Sequence, residues 1–278
     1  MLKHFLYQDK QIFYRLEGSG QPVVLLHGFG EDSNIWNEQI DFLKDHCLLI
    51  IPDLPGSGHS ELLVSSFKFQ ETSNRKPETI TIEDYAEVIH QLLVKENISS
   101  CIMLGHSMGG YITLAFAEMF PPLLSALGLI HSTAFADSEE KKTNRLKGIE
   151  LMEEYGAYSF LKNTIPNLFS ASYKEAYPDK IASLIEAGKE FTTEACVQYY
   201  CAMMNRPDRT HILTGNPLPV LFVIGTEDVA IPLKDSMQQM KLPQKAYIHI
   251  LENVGHMGIW EAAEKVNDFI LSFIEHCQ

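Results

Sequence analysis

Short apolar runs rich in Val, Ile and Leu alternate with longer stretches of helical spacing from about residue 20 onward. Such alternation predicts strands of a parallel sheet linked by crossover helices, and therefore an α/β fold. Residues 2–8 and 11–17 read as an opening pair of strands, and the turn Gly18-Ser19-Gly20 leads into Pro22-Val23-Val24-Leu25-Leu26. That last run has no polar side, which predicts a strand covered on both faces. Further strands are predicted at 47–51, 101–104, 124–130, 219–224 and 246–251. Between them, Ile35, Trp36, Ile40 and Leu43 share one helical face behind the cap-rich Asp32-Ser33-Asn34, and Thr81-Ile82-Glu83-Asp84 resembles a capping box opening another helix. Residues 108–120 have helical residue choice yet are apolar nearly all round, so this helix is expected deep against the sheet. Trp260, Ala263, Val266, Ile270 and Phe273 mark the packing stripe of a final helix.

The rhythm stops from about residue 132 to residue 213, where several helices are marked off by Gly156, Pro166, Pro178, Gly188 and Pro207. The expected organisation is a core of residues 1–131 and 214–278 interrupted by a helical insertion at 132–213. Within the insertion, Lys141, Lys142, Arg145 and Lys147 stand among Glu139, Glu140 and Glu150, which reads as a mixed, solvated helix face. A docking patch for an acidic carrier is the alternative there.

Composition narrows the function classes. The chain has 278 residues, 45% hydrophobic and 21% charged, so it has the makings of an ordinary globular core. With 36 acidic against 22 basic side chains its net charge of -14 repels phosphodiesters and anionic lipid, so neither nucleic acid nor membrane is expected as a partner. No apolar run approaches the roughly 20 residues of a membrane helix, and the first ten residues lack the apolar stretch of a signal peptide. A soluble, cytoplasmic protein is expected. Cys47, Cys101, Cys196, Cys201 and Cys277 form an odd set without a C-x-x-C pair, which suits reduced, mostly buried thiols rather than disulfides or zinc.

The chemistry concentrates at strand ends. Gly105-His106-Ser107-Met108-Gly109 matches G-x-S-x-G between a buried strand and a buried helix, the setting of a nucleophile elbow. A serine hydroxyl attacks at neutral pH only if a base takes its proton, and His256, in the loop Asn253-Val254-Gly255-His256-Met257-Gly258 after the last strand, fits that role. The histidine in turn needs a buried carboxylate, supplied by Asp228 in Gly225-Thr226-Glu227-Asp228, with the adjacent Glu227 as the alternative. Backbone donors for an oxyanion are expected at Phe29, in His27-Gly28-Phe29-Gly30, and at Met108. His106, Arg206 and Met257 are expected at the substrate pocket, although His106, like His27, belongs to a motif turn and equally suits a structural role behind the site, and Arg206 equally suits a structural ion pair. For Ser107 the competing structural role is a helix cap in a tight turn. Gly56-Ser57-Gly58 lacks the residues that would make it a phosphate cradle.

With these residues in hand the sequence resembles the α/β-hydrolase superfamily over almost its whole length, within the small esterase-like branch that carries a helical lid. Asp53-Leu54-Pro55-Gly56-Ser57-Gly58-His59-Ser60 looks like that family's D-x-P-G-x-G-x-S turn. The resemblance implies an open, mostly parallel eight-stranded sheet, the Ser107, Asp228, His256 triad, no cofactor or metal, and a lid at 132–213 roofing the pocket. Apolar lid residues, among them Phe160, Leu161, Phe169, Tyr199, Met203 and Met204, suggest an apolar acyl pocket. The expected reaction is hydrolysis of a small or medium carboxylic ester. Carbon-carbon bond hydrolysis or a triad-bearing lyase is the enzyme alternative, although ring-cleavage hydrolases commonly carry Asn and Trp where this chain has His106 and Met257. A slow-turnover ligand sensor on the same fold is the alternative of another class.

Overall fold

A computed structural model describes residues 1–63 and 80–277. Its eight strands are β1 (Leu2–Tyr7), β2 (Lys10–Gly18), β3 (Pro22–Leu26), β4 (Leu48–Pro52), β5 (Cys101–His106), β6 (Leu124–Ile130), β7 (Pro219–Gly225) and β8 (Lys245–Leu251). They form one sheet in the order β1-β2-β4-β3-β5-β6-β7-β8, in which β1 and β2, and β2 and β4, pair antiparallel and every later pair is parallel.

Alternation along the central strands divides the core in two. Val23, Leu25, Ile102 and Leu104 face one side and join α1 (Asn37–Leu43) and, near the carboxyl end, α11 (Gly258–Glu261) and α12 (Ala263–His276). Val24, Leu26 and Met103 face the other and meet α2 (Ile82–Lys95) and α3 (Met108–Met119). The apolar girth of α3 has the expected result, burial from Met108 through Ala117. The α2 capping box is formed, with the Asp84 amide donating to Thr81 Oγ1 at 3.2 Å and the Thr81 amide to the Asp84 carboxylate at 2.7 Å.

Between β6 and β7 the chain forms α4 (Glu139–Tyr155), α5 (Ala157–Thr164), α6 (Ala171–Ala176), α7 (Pro178–Ala187), α8 (Thr193–Asn205) and α9 (Thr210–Leu213); α10 (Leu233–Gln239) follows β7. The Gly and Pro marks fall at the joints. Gly156, at φ 83°, separates α4 from α5, and Pro178 opens α7. The segment is clamped at its far end by two buried arginines. Arg209 pairs with Glu118 of α3 at 2.9 Å and with Glu83 of α2, while Arg206 pairs with Asp137 at 2.9 Å and lies 3.8 Å over the Tyr111 ring.

The five cysteines are free, four of them buried. Among the described residues no helix is long and apolar enough to cross a membrane. What matters for function is where the connections reverse. The chain leaves β3 towards β4 on one side and returns to β5 on the other, so a crevice opens outside the carboxyl ends of β3 and β5.

Candidate active site

Ser107 stands at that crevice. It is the single residue between β5 and α3, held at φ 50° and ψ -116°, a left-handed backbone that costs an ordinary side chain about 1–3 kcal/mol. The surroundings fix it there. Its amide donates to the Ile130 carbonyl at 3.0 Å, and its carbonyl accepts from the Gly110 amide at 3.0 Å and the Ser132 hydroxyl at 2.7 Å. The turn also brings Gly109 so close to β3 that a Cβ there would lie 2.3 Å from the Leu26 carbonyl oxygen, which only glycine tolerates.

Asp228 follows β7 and is buried, while its neighbour Glu227 is exposed. The Asp228 carboxylate accepts from His256 Nδ1 at 2.9 and 3.0 Å, from the Ala230 and Ile231 amides at 2.9 and 2.8 Å, and from His131 Nδ1 at 3.1 Å. Burial alone would raise its carboxyl, but His256, joined by the bond from His131, pulls it well below the usual carboxylate range. His256 rides on the loop after β8, where its amide donates to the Leu168 carbonyl at 2.7 Å. Glu261 ties the same loop to the helical segment by accepting from the Gly255 and Ser170 amides, each at 3.1 Å.

Ser107 and His256 share a cavity of about 290 Å³. Phe29, Tyr111, Leu168, Tyr200 and Met203 give it an apolar and aromatic wall, and Glu31, Lys141, Asn144 and Arg145 add polar groups. At the crevice, Met108 opens α3, so its amide has no intrahelical acceptor. Among the described residues the Phe29 amide donates to no backbone carbonyl. Neither amide is therefore committed to a backbone acceptor among the described residues.

Three expected pocket residues lie elsewhere. His106 is fully buried and bridges two loops, with Nδ1 3.0 Å from Glu31 and Nε2 3.0 Å from the His256 carbonyl. Burial opposes its charge, yet the Glu31 carboxylate raises it above the ordinary histidine value, and Glu31 in turn is lowered against its own burial. Arg206 is spent on Asp137 and on the carbonyls of Met203 and Phe135, at 2.6 and 2.9 Å. Met257 packs in the core with Val254 and Ile259. Of the apolar residues expected at the pocket, Met203 lines it; Leu161 and Phe169 are core, and the Tyr199 hydroxyl donates to Pro55 at 2.8 Å.

The sequence reading missed Glu31, His131 and the cavity face of α4. Glu31 and His131 each stand just past the carboxyl end of a central strand, and that placement was the available signal. Glu31 also accepts from the Gly28 amide at 2.6 Å, which shapes the turn before Phe29. Lys141 and Arg145, read as part of a solvated face, line the cavity one helical turn apart, whereas Lys142 pairs outward with Glu139 at 2.8 Å.

His131, Asp228 and His256 bring potential ligand atoms within 4.8 Å of one another. The Asp228 oxygens already accept from two rings and two amides, which occupies the roughly four lone-pair directions a carboxylate offers. The cluster is therefore built as a hydrogen-bonded anchor for the two histidine rings.

Comparison with known proteins agrees with this architecture. The family described as the alpha/beta hydrolase fold matches residues 21–263. Lipase 1 of Psychrobacter immobilis is 26% identical over 92% of this chain and 77% of its own length. A 2-hydroxy-6-oxononadienedioate/2-hydroxy-6-oxononatrienedioate hydrolase of Burkholderia vietnamiensis is 24% identical over 96% of this chain and 91% of its own. Among solved structures, a thermophilic esterase from Thermogutta terrifontis superposes with a TM-score of 0.87 at 26% identity, covering 96% of this chain and 94% of that one. With that match, the mostly parallel eight-stranded sheet and the crevice residues at its strand ends, the chain belongs to the α/β-hydrolase family.

Proposed function

We propose that the protein is a serine hydrolase that cleaves a carboxylic ester of small or medium size through an acyl-enzyme on Ser107. The observation that carries this reading is the buried Asp228 carboxylate on His256 Nδ1, at a cavity that His256 shares with Ser107. With Nδ1 committed to Asp228, His256 Nε2, which meets no partner among the described residues, is the base. Ser107 Oγ attacks the ester carbonyl as His256 takes its proton, and the oxyanion accepts from the Phe29 and Met108 amides. The intermediate collapses when His256 returns that proton to the departing alkoxide. Water, deprotonated by His256, then attacks the acyl-serine, and Ser107 leaves with the proton. Asp228 keeps the imidazole in the right tautomer and balances its transient charge. In this reading residues 132–213 are a lid, resting on a core of 1–131 and 214–278.

The test is covalent labelling with a fluorophosphonate, read by intact mass beside Ser107→Ala. One adduct that maps to Ser107 and is absent from the variant is expected, with kcat/KM on simple esters falling about 10⁴- to 10⁶-fold in the variant. A folded protein that takes no label would overturn the activated serine and leave a ligand-sensing role on the same cavity. Carbon-carbon bond hydrolysis is the second reading, supported by the dioate-named Burkholderia relative. Faster turnover of a vinylogous diketone acid than of any ester would favour it.

A further inference from the structure

We infer that the cavity is built for a substrate carrying a carboxylate at the end remote from its ester, held by Arg145 and Lys141. The inference rests on the hydrolase reading for the position of the ester, and on the charges of the cavity for the rest.

Lys141 and Arg145 lie four residues apart on α4, hence on one face, and both line the cavity that holds Ser107 and His256. Their charge is only partly spent within the protein. Arg145 Nε donates to Asp137 Oδ2 at 2.5 Å, but Asp137 also answers Arg206 at 2.9 Å, so one carboxylate serves two guanidinium groups. Among the described residues the two terminal nitrogens of Arg145 make no hydrogen bond, while its guanidinium carbon stands 5.0 Å over the Tyr200 ring. Lys141 meets no carboxylate within 4 Å there; its Nζ donates only to the Ala230 carbonyl, at 3.2 Å. Among the described residues the one carboxylate of the lining, Glu31, is matched by His106. A net positive cavity wall on a chain of net charge -14 runs against the whole molecule's composition.

The unspent edge of Arg145 is a planar pair of donors, the shape that takes a carboxylate by two parallel bonds, and Lys141 adds a point charge beside it. The same cavity is walled by Phe29, Tyr111, Tyr200 and Met203, which suits methylenes or a flat unsaturated link. A cavity of about 290 Å³ is at the small end for ligand sites, so the linker is short. The substrate class is therefore a monoester of a short dicarboxylic acid.

The test compares two chromogenic esters of one shape, the mono-4-nitrophenyl ester of glutaric acid and its terminal carboxamide. The readout is the ratio of their kcat/KM values in wild type, Arg145→Gln and Lys141→Met. The expected wild-type ratio favours the anionic ester by about 10- to 100-fold and collapses towards unity in each variant. A wild-type ratio at or below one overturns the proposal, as does a ratio that Arg145→Gln and Lys141→Met both leave intact. Lys141→Met covers the case in which Arg145→Gln unsettles Asp137, because Lys141 does not contact Asp137, and any shift of the Ala230 loop would slow both esters alike and leave their ratio unchanged. Free glutarate supplies a readout independent of turnover: it is expected to raise the thermal midpoint of wild type and to do so less in both variants. Glutarate stabilisation in a protein whose Ser107 takes no fluorophosphonate would keep the anion site and sink the hydrolase reading. Labelled Ser107 without glutarate stabilisation and without anion preference would do the reverse.

Discussion

Two histidines share Asp228, and only one of them touches the cavity. His131 is fully enclosed; its Nδ1 donates to the carboxylate, and a Cβ on Gly258 would fall 2.1 Å from its Nε2, so glycine is required there. Burial lowers the ring to about 4, against the pull of Asp228. The folded protein therefore keeps His131 neutral between about pH 4 and 6.5, where the unfolded chain protonates it, and stability must rise with pH across that window. His106 has the opposite sign: raised by Glu31, it stabilises fully below its unfolded value and loses that contribution only as pH climbs through its higher folded value. Unfolding free energy measured by denaturant titration is expected to climb from pH 4 to 6.5, at roughly 1 kcal/mol per pH unit, and His131→Gln is expected to flatten that climb. An unchanged slope in the variant would mean that His131 titrates alike in both states. Ser107, Asp228 and His256 were legible in the sequence because each sits in a short glycine-bearing turn after a strand. Of the two readings open for His106, the structural one fits: it closes a strand and Ser107 turns away from it, so its ring bridges Glu31 and the His256 carbonyl.

Elements were easier to read than their faces. The central strands declare themselves as unbroken apolar runs because both sides are covered, and α3 because nearly all its girth is apolar. A local device such as the α2 cap is legible because it needs only residues three apart. Thr81→Ala removes the oxygen that receives the Asp84 amide and is expected to lower stability by about 1 kcal/mol, seen as a lower denaturation midpoint with unchanged steepness. A loss near zero would show that Asp84 alone secures the helix start. The α4 face was not legible for a physical reason. A charged side chain that lines a water-filled cavity and one that faces bulk solvent obey the same pattern, and only the fold decides that Lys141 and Arg145 turn inward while Lys142 turns out.

For the molecule as a whole, a net charge of -14 means self-repulsion in the folded state, while most of its lysine pairs are exposed. Exposed pairs contribute little, so screening should relieve more repulsion than attraction. Raising sodium chloride from about 10 to 200 mM is expected to raise the thermal midpoint. A fall would assign the surface pairs the larger share. The order of strands carries another consequence. Ser107 leaves β5, but the groups that would activate it leave β7 and β8, on the far side of the whole helical segment. As the ribosome extends the chain, Ser107 emerges long before the proposed base His256, and on that reading every truncated product that stops short of β8 holds a hydroxyl without the partner proposed to deprotonate it.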